Sequence, residues 1–167
     1  MVFWGRLSSL LLASLSLGMS FCHVLEMPVR LRWPPALWAD VTTFHGLYYL
    51  FGRVGAAIDI GALLACAILA GLVRKRRPAF GLSLTAALML AGALGLWFVL
   101  VSPMNAVMAG WRPGVGSAAV DAVRGQWELG HAVVAVAKLA GVLALFLSVL
   151  LDSRQAPGAR DPSGARR

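Results

Sequence analysis

Residues 127–151 read WELGHAVVAVAKLAGVLALFLSVLL, a long apolar run interrupted by Glu128, His131 and Lys138. At 100° per residue these three, with Arg124 just upstream, fall within an arc of roughly 80° on one side of a helix. The other sides are dominated by Val, Ala, Leu and Phe. Ionisable side chains facing lipid cost several kcal/mol each, so the stripe must turn toward partner helices or a wet cavity. Residues 127–151 are therefore expected to form one helix of a membrane bundle, and the rest of the chain has to supply its companions.

The composition agrees. Of the 167 residues 59% are hydrophobic and 13% charged, and the mean hydropathy is +0.78, whereas an ordinary soluble domain is about 25% charged. No long polar stretch exists from which a second domain could be built. The net charge of +8 would suggest nucleic acid in a soluble protein. Here the basic residues sit at the ends of apolar runs, where they orient the chain; the cluster at 74–77 is a short loop suited to anionic lipid, and no nucleic-acid partner is expected.

Working back from the last run, residues 79–101 form another crossing, preceded by Arg74-Lys75-Arg76-Arg77-Pro78. Residues 43–73 form a run too long for a simple span, so its first part, with His45, Tyr48, Tyr49 and Arg53, is expected to project above the hydrocarbon or line a cavity. Residues 7–25 are the first run, ended by Pro28 and expected as an anchored helix rather than a cleaved signal peptide, because apolar character continues through Phe21 and Leu25. The stretch 27–42, with three prolines, Trp33 and Trp38, reads as an interfacial loop. Pro103, Pro113 and several glycines mark a second loop between the third and fourth helices. Residues 152–167 read as a disordered tail.

The expected fold is thus all-α, an integral four-helix bundle. Nine Lys and Arg fall on the side of the termini and the 74–77 loop, against Arg30, Arg32, Arg112 and Arg124 on the other. Positive-inside then predicts cytoplasmic N and C termini in a multi-pass protein of the cell membrane, its partner being the lipid bilayer. Cys22 and Cys66 lie near opposite faces, too far apart for a disulfide. Small residues at four-residue spacing, Ala57/Gly61/Ala65, Ala87/Ala91/Gly95 and Ala137/Gly141, suggest close helix contacts.

The outer end gathers the chemistry. His23 and Glu26 on the first helix and Glu128 and His131 on the fourth are i, i+3 pairs that mirror each other. A Glu-x-x-His pair inside a bundle is one element of di-iron and di-manganese carboxylate sites; without the other carboxylates, a mononuclear metal on His23, Glu26 and His131 is the most these ligands could form. The competing reading has no cofactor, the same groups capping helix ends. His45 sits roughly 12 Å too high on its helix to join them. Arg53, level with His131, could neutralise Glu128 or Glu26. Deeper, Asp59 and Lys138 share a depth, which predicts a structural ion pair, with a proton path as the functional rival.

Together His23-x-x-Glu26-x-Pro28, Tyr48-x-x-Phe51, Pro103-x-Asn105 followed by Trp111, and Trp127-Glu128-x-x-His131 resemble the anthrone oxygenase-like group of small membrane proteins. The resemblance covers about residues 20–150 and implies, for some members, cofactor-light oxygenation of polyphenolic anthrones to anthraquinones. Asn105, Trp111 and His131 are the positions that match. The expectation is a membrane oxidoreductase with His131, Glu128 and Asn105 as catalytic groups, Trp111 and Arg53 lining the pocket, and an apolar aromatic small molecule as substrate. The alternative is a non-catalytic accessory or scaffold protein in which these groups close the bundle. No Gly-rich nucleotide loop or nucleophile elbow is present.

Overall fold

A computed structural model describes residues 1–46 and 48–154, the last by its backbone. The elements are α1 (Val2–Arg30), α2 (Pro35–Ala39), a π-helical turn (Asp40–Phe44), α3 (Tyr49–Leu72), α4 (Arg77–Leu96), a second π turn (Trp97–Val101), α5 (Ser102–Ala109) and α6 (Ser117–Arg154). Four stretches are long and apolar enough to cross a membrane: Val2–Arg30, Tyr49–Leu72, Arg77–Ala109 and Ser117–Ser153. Their outward faces carry exposed Leu11, Leu15, Leu64, Ile68, Leu88, Leu143 and Leu147. Such a belt is unfavourable in water and suits hydrocarbon.

α1 packs on α3 and α6, and α4 packs on the same two helices, giving an up-and-down four-helix ring. The inward face of α1 is Ser9, Ala13, Ser16, Ser20, His23 and Arg30, a stripe at alternating four- and three-residue steps that lets neighbouring backbones come close. α4 contributes Ala79, Ser83, Ala86, Ala87, Leu90 and Ala93. Against it lies Gly141 of α6, where a Cβ would sit 3.3 Å from the Ala86 carbonyl oxygen. Of the expected ladder positions Gly141, Ala87 and Gly61 lie at helix contacts, whereas Ala57, Ala91 and Gly95 are exposed; Ala62 and Cys66 on α3 and Ala86 and Ala93 on α4 complete the buried registers.

The end that holds Arg6 and the α3–α4 turn, called inner here with the opposite end outer, is closed by polar locks. Asp152 accepts from Arg6 and, at 2.7 Å, from Arg76, tying α1 and α6 to the α3–α4 turn. Ser148 Oγ lies 2.8 Å from Ser83 Oγ and donates to the Ala79 carbonyl at 2.9 Å. Asp152 thus belongs to the bundle and not to a tail; residues 155–167 lie outside the described residues.

Several boundaries move from the sequence expectation, each for a physical reason. Pro28 does not end α1. It removes one ladder bond, but Leu31 N–H still reaches the Met27 carbonyl at 2.9 Å, as prolines in membrane helices allow. The third crossing runs on past Pro103 to Ala109. Proline cannot donate to the carbonyl four residues back, Val99, and the π turn around that residue absorbs the mismatch. α3 starts at Tyr49 rather than 43, Thr43 and Phe44 belonging to the first π turn; the stretch 27–42, expected as a loop, is instead largely helical, with α2 and that π turn packing over the outer end and Trp38 and Ala39 buried. α6 begins at Ser117, ten residues before Trp127, because 117–126 contains no proline to stop it.

Candidate functional site

Arg30 organises the outer end. Its guanidinium is 1% exposed, and all five N–H groups are used. Nε and Nη2 grip Glu128 side-on at 2.8 and 2.6 Å. Nη1 donates to Glu26 and to the Tyr48 hydroxyl, the latter at 2.9 Å, and Nη2 also donates to the His23 carbonyl at 2.9 Å. Glu128 Oε1 further accepts the Trp38 indole N–H at 3.0 Å. A planar fork between carboxylates is the arrangement arginine can satisfy and lysine cannot. Tyr48 O–H donates to Glu26 at 2.7 Å. Burial, then this bond to a carboxylate, push its ionisation up to about 12, against the opposing Arg30 charge.

Trp127 is the wall between this hub and a cavity. The Arg30 carbon Cζ stands 5.4 Å from its ring centre, and its indole N–H donates to Asn105 Oδ1 at 2.8 Å. On the other side, its ring lies 4.2 Å from that of His131. His131 and His23 face each other with ring centres 4.1 Å apart. His131 Nδ1 is 2.9 Å from the Trp127 carbonyl. That carbonyl can only accept, so Nδ1 carries a proton, and in the neutral imidazole Nε2 is the nitrogen with the lone pair. His23 is buried, and its Nδ1 has no partner.

The cavity has a volume of about 440 Å³, within the usual range for small-molecule sites of roughly 300–1,000 Å³. His23, His131 and Asn105 border it, and Asp59 and Lys138 lie deeper in it. Its aromatic walls include Trp97, Phe98, Phe51 and Trp127. Tyr49 and Ile60 of α3 and Phe98 of the π turn, all lining residues, are also exposed on the outer surface. The mouth therefore lies between α3 and the third crossing, on the lipid-facing side. Gly52 and Gly55 keep α3 thin there, and the π turn supplies Trp97 and Phe98 to the wall. The opposite face of that turn is pinned by Gly130, where a Cβ would lie 2.9 Å from Val101 Cγ2.

Asp59 and Lys138, matched by depth in the sequence, meet: Nζ lies 2.7 and 2.8 Å from the two carboxylate oxygens. Ser16 Oγ donates to Asp59 Oδ1 at 2.6 Å. Other expected members go elsewhere. Glu26 and Glu128 are held by Arg30 and do not border the cavity. The expected metal set of His23, Glu26 and His131 does not converge, because Arg30 and Tyr48 draw Glu26 away; among the described residues no three His, Cys, Asp or Glu side chains are placed to hold a metal ion. Arg53 does not neutralise either glutamate. It is exposed and lies over the Tyr49 ring at 4.5 Å, its place taken by Arg30. Trp111 covers no part of the cavity; it packs on Trp38 at 6.4 Å, since α2 intervenes. His45 is exposed and pairs with Asp40 at 3.0 Å. Arg124 donates to the Trp33 carbonyl at 2.9 Å.

Sequence reading missed Arg30 and Trp38 as site residues; Tyr48 and Tyr49, expected to project above the hydrocarbon or line a cavity, border it. The signal was available for Arg30: His23, Glu26 and Arg30 are i, i+3 and i+7, one helix face, and only Pro28 hid it. Comparison with known proteins finds no family model that matches the chain, and no curated protein or solved structure that matches it.

Proposed function

We propose that this chain is an integral membrane oxidoreductase of the anthrone oxygenase-like type, acting on a flat apolar aromatic that reaches the cavity from the bilayer. The observation that carries this reading is the cavity itself: an aromatic-walled hollow with a lipid-side mouth, bordered by an imidazole whose Nδ1 donates to the Trp127 carbonyl, so that in the neutral ring Nε2 is the acceptor. A bundle that only needed closing would fill this space with side chains.

In this reading His131 Nε2 takes a proton from the methylene opposite the carbonyl in the substrate's central ring, and the C–H electron pair is delocalised through the fused rings onto the carbonyl oxygen. Asn105 is suited to hold that oxygen. Its Oδ1 is occupied by the Trp127 N–H, which fixes the amide with its NH₂ free to donate. The carbanion then reacts with dioxygen; one oxygen atom becomes the new carbonyl, and the other leaves as water with the two methylene hydrogens. Glu128 serves by anchoring Arg30 rather than by touching substrate.

The membrane assignment carries an orientation. The start of α1, the end of α6 and the 74–77 loop share one end of the bundle through Arg6, Arg76 and Asp152, and Arg30 drops out of the outer-side charge count because it is buried. Both features favour cytoplasmic termini in a cell membrane. A reporter fused after Arg167 should read cytoplasmic, and one at Gly116 external.

The decisive experiment is oxygen uptake by purified protein in detergent with a three-ring anthrone as probe, followed by the quinone absorption. The native chain should consume oxygen and His131→Ala should lose at least about 100-fold in rate. No uptake by the native chain overturns the enzyme reading. The scaffold reading would then stand, favoured by the fully satisfied Arg30 network, which closes the outer end without needing a substrate.

A further inference from the structure

The Asp59–Lys138 pair does more than neutralise two charges inside a membrane. A structural pair belongs in the tightly packed part of the bundle. This one lies at the inner end of the cavity, and both residues line it. Its hydrogen bonds are unevenly shared. Lys138 spends its protons on the two Asp59 oxygens and faces the Ser16 carbonyl at 3.5 Å, so the ammonium is committed. Asp59 Oδ1 accepts from both Ser16 and Lys138, while Oδ2 accepts from Lys138 alone. The Asp59 side chain keeps 21% of its surface exposed, against 6% for Lys138. The open capacity is thus a carboxylate lone pair, and the positive partner is behind it.

At the outer end of the same cavity the open capacity is His131 Nε2, likewise a lone pair. His131 and Lys138 are seven residues apart on α6, so the two levels differ by about 10 Å along the helix. Between them the walls are aromatic and apolar. From this geometry, and resting on the small-molecule reading above, we propose that Asp59 is the specificity-determining residue of the cavity. It selects a ligand whose leading edge carries a neutral hydroxyl, or another O–H or N–H donor, while the opposite edge meets His131. The same carboxylate refuses two relatives of such a ligand. A methyl ether brings no proton and leaves the buried carboxylate unsatisfied by the ligand that covers it. A carboxylic acid brings a second negative charge to a site whose only cation is already engaged.

The test compares ligands before it touches the protein. Three-ring aromatics identical except for a terminal hydroxyl, methoxy or carboxylate group are titrated against the full-length native chain in detergent, with binding read from quenching of Trp97 and Trp127. The hydroxyl compound should bind, and the methoxy and carboxylate compounds should each bind about 100-fold more weakly. In Asp59→Leu/Lys138→Met, which removes both charges together, the hydroxyl and methoxy compounds should bind alike. Equal binding of those two by the native chain overturns the role of Asp59 while leaving the small-molecule reading intact. Discrimination that survives in the double variant also overturns it, since the hydroxyl is then read elsewhere. Binding of none of the three overturns both. Should the double variant fail to fold, the comparison on the native chain still decides.

Discussion

The two ends of this bundle are locked by inverse arrangements. At the inner end one carboxylate, Asp152, sits between two guanidiniums, Arg6 and Arg76. At the outer end one guanidinium, Arg30, sits between two carboxylates, Glu26 and Glu128. Their surroundings differ as much as their signs. The inner helices touch through Ala, Ser and Gly, so close packing already holds them and the lock lies at the rim, with Arg76 52% exposed. The outer helices part around a cavity, and there the polar network replaces the missing packing, sealed so that Arg30 and Glu128 are 1% and 2% exposed. An end that must stay hollow is held by directional bonds, and an end that can close is held by shape.

That contrast breaks first at Arg30. Arg30→Met leaves Glu128 buried with only the Trp38 N–H and should cost about 3–5 kcal/mol. Arg30→Lys should recover little, since an ammonium cannot span both carboxylates and the His23 carbonyl. Arg76→Ala, at a solvated rim, should cost no more than about 1 kcal/mol. Thermal unfolding in detergent measures all three. Equal losses for Arg30→Met and Arg76→Ala would mean that the two locks are equivalent.

The next largest effect tests the cavity side of the outer end. Lys138→Met strands Asp59 and should cost about 2 kcal/mol, less than at Arg30 because Asp59 keeps some access to the cavity. Asp59→Asn should destabilise too, and Asp59→Asn/Lys138→Met should recover much of the loss. Simple additivity would show that the pair makes no net bond.

Packing at the π turn sets a smaller effect. A Cβ on Gly130 would meet Val101 Cγ2 at 2.9 Å and Leu100 Cβ at 3.2 Å, so Gly130→Ala should cost about 1–2 kcal/mol and narrow the cavity by pushing the turn inward. Gly95, one turn before the bulge, has nothing within 4 Å; Gly95→Ala should be neutral or slightly stabilising by helix propensity. Equal costs at the two glycines would remove the reason for placing the hinge of the cavity at 97–101.

These sites also show what could be read in advance. Hydropathy alone marks four crossings, because lipid imposes apolar runs of fixed length. Equal depth brought Asp59 and Lys138 together, since rise per residue is a rigid ruler along helices that run the whole bundle. Arg30 is hidden in the sequence by Pro28, a helix stop in water, whereas in lipid a helix that ended there would leave more backbone unpaired than one that bends. The π turn had no sequence mark beyond Pro103. Which way Glu26 points could not be read at all: metal ligand and arginine partner use the same carboxylate, and only the position of Tyr48, fixed by the loop that precedes α3, decides between them.

Tyr48 gives the smallest effect and the most direct reading of how dry the outer lock is. Its hydroxyl bridges Glu26 and Arg30 from the edge of the network. Tyr48→Phe should therefore cost only about 1 kcal/mol near neutral pH. Its pH dependence is more telling. The hydroxyl ionises at 10.0 when unperturbed and is pushed up to about 12 in the folded protein, chiefly by burial. Between those values the folded chain holds a proton that the unfolded chain has released. The stability contributed by this proton is complete below pH 10 and is lost as the pH rises through 12. Native protein should lose stability more steeply than Tyr48→Phe across that window, and the two curves should run parallel below it. The chain has only two tyrosines, so the variant leaves Tyr49 alone, and the difference in tyrosinate absorption isolates Tyr48. Glu26 is already 47% exposed, so ionisation of Tyr48 near 10 would show that water passes it to reach Arg30, and the outer end would then be a solvated rim like the inner one.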